Sequence, residues 1–259
     1  MTYRGAVVDL DGTVYRGESL IPGANAGIDF LRSSGLDLLF FSNNPTKSPA
    51  AYSERLASHG LDVPIEEIAS SATVTAAYLQ DHHADDNVFV IGDPGLVEQL
   101  EAADLTLTDE PTATDVLVGS WDREFSYRKL TSALWAIQAG AAFIGTDPDR
   151  RVPIGDGRLI PGSGAIIHAI EGVADRPADH VLGKPSEEAA ELALSRLGVS
   201  ADECLVIGDS LQTDISMGER VGMTTVLVRS GITTPENIDA GRVRPDYVVD
   251  SLGEIGEIF

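Results

Sequence analysis

The chain has 259 residues, 43% of them hydrophobic, which is enough to bury one large or two modest cores and too apolar for disorder. Its 41 acids against 18 bases give a net charge of −23, a surface that repels nucleic acid and anionic lipid. No apolar run approaches the roughly 18 residues of a membrane span, and the opening MTYRGAVVDLDG lacks a signal-peptide layout, so a cytoplasmic location is expected.

The first predicted strand, YRGAVVDL, runs straight into two acids, Asp9 and Asp11. Alternate residues of a strand share a face, so both carboxylates project together from its carboxyl end. Two carboxylates about 4 Å apart repel by roughly 4 kcal/mol at an effective dielectric near 20, and something must offset that cost. Gly12 lets the backbone turn beside Asp11. A helical pattern, ANAGIDFLRSSG, leads to the strand LDLLFFSN, whose end offers Ser42 and Asn43 as hydrogen-bond donors suited to phosphate oxygens. Ser48 is the better placed of the serines to cap the helix that follows.

The strands DNVFVIGD, TDVLVGS and AAFIGT, with the helical patterns SYRKLTSALWAIQAG and SGAIIHAIEGV, predict a second α/β unit over residues 74–180, inserted into a first formed by 1–73 and 181–259. The crossings are expected near SSATVTA and RPADH. After the insertion come HVLG and GKPS, then a helix, SEEAAELALSRLG, then ECLVIGD and GDSLQTD, then the strands MTTVLVRSG and PDYVVD. Cys204 lies in one of these strands and reads as plain core. Strands alternating with helices predict a doubly wound parallel sheet, in which ligands bind outside the strands' carboxyl ends.

Asp9, Asp11, Asp209 and Asp214 all stand at or just beyond such ends. A hard divalent cation with oxygen ligands resolves their repulsion, and magnesium is the expected ion; no histidine or cysteine near these motifs favours zinc. Three of the 18 basic residues are lysines, Lys47, Lys129 and Lys184, so the lysine of GKPS stands out. A compact ammonium suits a point contact to phosphate and to a nucleophilic carboxylate. Lys47 and Lys129 read as mostly surface.

DLDGT, FFSNN, GKPSEEA and GDSLQTDI, in this order, resemble the four motifs of the haloacid dehalogenase (HAD) superfamily of aspartate-dependent phosphohydrolases. The insertion is similar to the α/β cap of the type IIA subfamily, which includes p-nitrophenyl phosphatases, phosphoglycolate phosphatases and NagD-like nucleotidases; GSWDREFSYRKL, GTDPDRRVP and LIPGSGAIIHAIE resemble that cap's segments. The resemblance implies a HAD-like Rossmannoid core with an inserted cap, and a magnesium-dependent phosphatase acting on a small phosphorylated metabolite as a monomer or a homodimer paired through the cap. It implies that Asp9 attacks phosphorus, that Asp11 protonates the leaving oxygen and then activates water, and that Asp11 therefore needs a raised pKa. Asp9, the backbone carbonyl of Asp11 and Asp209 would hold magnesium with Asp214 in support, while Ser42, Asn43 and Lys184 would cradle the phosphoryl group. Asp147 stands where the subfamily usually shows asparagine; two readings stand open, an extra charge in that cap loop that disfavours anionic substrates, or part of the chain's acidic drift.

Other readings fit less well. Phosphomutases of the superfamily usually carry a helical cap soon after the first motif, and dehalogenases lack the acid found at Asp11. A receiver-type signalling module runs about 120 residues with no insertion. A dinucleotide site would need a third glycine after GSG at 162–164. The acid-rich, lysine-poor composition resembles salt-adapted archaeal proteins, whose cytoplasm screens self-repulsion.

Overall fold

The computed structural model describes residues 3–154, 158–234 and 243–259. The described chain divides into two compact units: Met1–Ser42, Pro49–Ala69 and Lys184–Phe259 form the first, and Asn43–Ser48 with Ser70–Gly183 form the second.

In the first unit, β1 (Gly5–Asp9), a hairpin of β2 (Tyr15–Arg16) and β3 (Ser19–Leu20), and helix α1 (Ala24–Ser33) lead to β4 (Asp37–Ser42). Helix α2 (Pro49–Ser58) begins immediately after Ser48 and leads to β5 (Ile68–Ser70). The second unit contains α3 (Ser71–His82), β6 (Asn87–Ile91), α4 (Pro94–Ala102), β7 (Thr106–Leu107), β8 (Val116–Gly119), α5 (Tyr127–Ala139) and β9 (Ala142–Gly145). A hairpin of β10 (Arg151–Pro153) and β11 (Leu159–Pro161), then α6 (Ser163–Ala174) and β12 (His180–Val181), complete it. The first unit resumes with α7 (Glu187–Leu197), β13 (Cys204–Gly208), α8 (Ser216–Val221), β14 (Thr224–Val228) and β15 (Tyr247–Val249).

The main sheet has the order β15-β14-β13-β1-β4-β5, and its pairings from β15 to β4 are parallel. β1 and β13 are buried along their whole length, which is why their sequences are continuous apolar runs and not alternating ones. The core around them gathers Val8, Leu10, Phe40, Tyr52, Ile207 and Val226. Cys204 is fully buried there, and burial pushes its thiol up to about 12, which suits a core residue and not a nucleophile. The second sheet, β12-β9-β8-β6-β7, is also parallel, over a core that includes Leu117, Phe143, Ile167 and Ile170. Among the described residues no helix is long and apolar enough to cross a membrane.

SSATVTA opens a full helix: the Ser70 hydroxyl accepts from the Thr73 N–H, and Thr73 accepts from the Ser70 N–H, a capping box that overrides the β-branched Thr73, Val74 and Thr75. The return to the first unit comes after Gly183, beyond the expected 176–180, because β12 pairs with β9 and keeps HVLG in the second sheet.

Candidate active site

Register sets the geometry. Val8 pairs with Ile207 and Asp9 with Phe41, so the carboxyl ends of β13, β1 and β4 lie side by side and present Asp209, Asp9 and Ser42. Lys184 arrives differently, because it follows a strand of the other sheet. Its ammonium is almost completely buried and donates to Asp9 Oδ1 at 2.7 Å, to Asp214 Oδ1 at 2.7 Å and to the Phe41 carbonyl at 2.9 Å.

Asp214 is brought in by a turn of π-helix, Leu211–Ile215, whose first turn is tied by the Ser210 hydroxyl accepting from the Thr213 N–H. Its second oxygen accepts from the Ser210 N–H at 3.1 Å. Oxygens of Asp9, Asp209 and Asp214 all lie within 4.8 Å of one another. Burial raises the Asp9 carboxyl well above the usual range; Lys184 opposes this, while Asp214 and Asp209 add to it. Asp209 is pushed up to about 7, by burial first and the Asp214 charge second. Burial works against the Lys184 ammonium, yet Asp214 and Asp9 outweigh it and hold its pKa above the ordinary value.

Three buried carboxyls therefore stand near one ammonium, which bonds Asp9 and Asp214 of the three, and Asp9 and Asp209 retain protons more strongly than a free acid. A divalent cation would offset this electrostatic deficit, and the all-oxygen donor set would suit a hard one such as magnesium. Two glycines leave room for the Asp209 carboxylate. Gly12 has φ +94°, and a Cβ at Gly12 or at Gly231 would collide with the Asp209 carboxylate.

Asp11 differs from its neighbours: its side chain is exposed, beside an isolated bridge from Asp11 to Tyr15. The carboxyls that burial raises here are those of Asp9 and Asp209. Asp11's charge is nevertheless felt locally. After burial, it is the next cause holding the phenols of Tyr15 and Tyr52 above their usual pKa. Tyr52 donates from its hydroxyl to Ser42 Oγ at 3.2 Å.

Sequence reasoning missed several partners. Thr13 donates to Asp9 Oδ2 at 3.2 Å, the Ile232 N–H donates to Asp209 Oδ2 at 2.7 Å, and the Thr233 hydroxyl donates to the Asp209 carbonyl at 2.5 Å. Thr13 sits within DLDGT and was available to be noticed; the loop after β14 carries no such local signal.

Asn43 and Asp147 belong to the second unit. Asn43 Nδ2 donates to Asp149 Oδ2 at 3.2 Å, and the Asn43 carbonyl accepts from the Ser71 hydroxyl at 2.6 Å. Asp147 is 2% exposed, and burial, reinforced by the Asp149 charge, pushes it up to about 8. Such a carboxyl holds its proton to a higher pH than a free acid does. Lys129, read as surface, pairs with the buried Asp122 at 2.5 Å.

A family model described as haloacid dehalogenase-like hydrolase matches residues 6–106, and a second HAD-hydrolase-like model matches 181–255. The chain is 39% identical over 254 residues to the sugar-phosphatase AraL of Bacillus subtilis, covering 98% of this chain and 92% of the relative. It is 36% identical to an acid sugar phosphatase of Staphylococcus haemolyticus, covering 96% and 94%. Among solved structures it is similar to a p-nitrophenyl phosphatase from Archaeoglobus fulgidus, with a TM-score of 0.94 at 36% identity and all of both chains covered. NagD from E. coli K-12 matches with a TM-score of 0.90 at 29% identity, covering 98% and 99%.

Proposed function

The chain belongs to the haloacid dehalogenase-like hydrolases and is a phosphoric monoester hydrolase of that family; from this premise we propose that it cleaves small phosphate monoesters through an aspartyl-phosphate on Asp9. The observation that carries this reading is the buried triad of Asp9, Asp209 and Asp214 around the Lys184 ammonium. A nucleophilic carboxylate must be ionised, and Lys184, 2.7 Å from Asp9 Oδ1, favours that state against burial.

In this mechanism Asp9 attacks phosphorus while the bond to the leaving oxygen breaks, and Asp11 gives that oxygen its proton. Asp11 then takes a proton from water, whose oxygen attacks the phosphoryl group and frees Asp9 and inorganic phosphate. The exposed position of Asp11 suits a group that must meet both leaving group and water. Ser42, Asn43 and Lys184 are assigned to the phosphoryl oxygens. Asp9, Asp209 and the Asp11 carbonyl would hold magnesium, with Asp214 in support; when bound, the ion neutralises the carboxylates and draws charge from a phosphate oxygen. We assign the second unit as the cap, and a cytoplasmic location remains part of the proposal.

The two relatives named as sugar phosphatases support a sugar phosphate over phosphoglycolate or a nucleoside monophosphate as the physiological substrate. The test is phosphate release from p-nitrophenyl phosphate and from a panel of these esters, ranked by kcat/KM. Asp9→Asn should lose roughly 10³-fold or more, and chelator should silence the wild type. Full activity in that variant or in chelator would rule the mechanism out.

A further inference from the structure

The loop Thr146–Arg150 of the second unit holds two carboxyls that the mechanism does not use. Asp147 Oδ2 accepts from the Thr146 hydroxyl at 3.0 Å, Oδ1 accepts from the Asp149 N–H at 3.2 Å, and the Ser163 hydroxyl at the start of α6 adds a third bond. The Thr146 hydroxyl lies 2.8 Å from that of Ser120, at the end of β8. The loop is locked from α6: the Gly162 N–H donates to the Arg150 carbonyl and the Gly164 N–H to the Asp149 carbonyl, and a Cβ at either glycine would strike the loop backbone.

Among the described residues no cation pairs with Asp147. The charged group acting on it is the Asp149 carboxylate, while the Arg150 guanidinium is engaged by His168 Nε2 at 2.7 Å. In the connecting segments, a Cβ added at Gly183 would press on Asp147 and on the neutral Asn43 side chain at Oδ1. An ionised carboxylate in such a place is costly, whereas a protonated one is a neutral donor and acceptor with the outline of an amide. As an acid, Asp147 can donate to Thr146, which passes its own hydrogen to Ser120. Asp149 then bears the loop's one negative charge and accepts from Asn43 Nδ2 at 3.2 Å. Asn43 follows Ser42 in the segment assigned to phosphate.

We propose that Asp147 is a positioning residue that works as a neutral acid: it lets Asp149 hold Asn43, and loss of its proton to solvent base sets two like charges in one loop and loosens that hold. The consequence for catalysis rests on the phosphatase reading; the coupling to Asn43 does not.

Two measurements test it. The kcat/KM for p-nitrophenyl phosphate, followed from pH 6 to 9.5, should fall in the wild type from about pH 8 upward, mainly through KM, because that is where Asp147 ionises. Asp147→Asn, which keeps the amide-like outline without the proton, should lose that alkaline limb, whereas Asp147→Leu should show raised KM at every pH. The Asn43 side-chain amide, followed by NMR, should shift with the same midpoint in the wild type and stay fixed in Asp147→Asn. The same alkaline limb in wild type and Asp147→Asn, or an Asn43 amide that is flat with pH in the wild type, would overturn the proposal. Failure of the wild type to hydrolyse any ester would sink the phosphatase reading, and the amide titration would still decide this one.

Discussion

Asp209 carries the clearest consequence at the scale of single residues. Its folded pKa of about 7 lies above the ordinary 3.8, so the metal-free protein is favoured below about pH 4 and loses that stability as pH rises through 7. A bound divalent cation requires the deprotonated form and removes the penalty. Magnesium should therefore raise Tm more at pH 8 than at pH 5, and Asp209→Asn should flatten the pH slope of the metal-free protein. A magnesium-induced rise in Tm that is equal at both pH values would contradict the assignment. Lys184 belongs to the same account: a rare lysine in an arginine-rich chain was conspicuous in the sequence, and its three partners explain the choice. A point charge reaches two carboxylates and one carbonyl at once, where a planar guanidinium would be confined to its fork.

At the scale of elements, the strand ends were legible because a parallel sheet buried on both faces writes itself as apolar runs that stop at polar residues. The short hairpins, β5 and β7 were not legible, since two or three residues carry no period. Helix packing was hidden as well. Helix α1 docks on the 3₁₀ segment Leu252–Ile258, and a Cβ at Gly27 would run into the Leu252 carbonyl. Gly27→Ala gains about 1 kcal/mol of helix propensity. Overpacking against backbone costs about 1–3 kcal/mol, and with no side chain there to yield we expect the upper end of that range, a net loss of about 1–2 kcal/mol. A denaturant midpoint at or above that of the wild type would show that the segment simply moves aside.

For the whole molecule, a charge of −23 on 259 residues is a repulsive load distributed over the surface. Screening contracts from about 10 Å at 0.1 M salt to about 3 Å at 1 M. Tm should rise steadily through a potassium chloride series, and equal melting in dilute and multimolar salt would remove the salt-adaptation reading.

The sequence by itself determined the alternation of strand and helix, the reaction class and the acids of the core motifs, because these are local patterns: apolar runs, glycine turns, and DLDGT and GDSLQTD placed directly after buried strands. Only the tertiary structure decided which charges share a space. Asp214 joins Asp9 through Lys184, Asp11 stays exposed, Lys184 enters from beyond a strand of the other sheet, and Asp147 is buried beside the charge of Asp149. Burial and Coulomb interactions are sums over segments far apart in the chain, so no window of the sequence contains them.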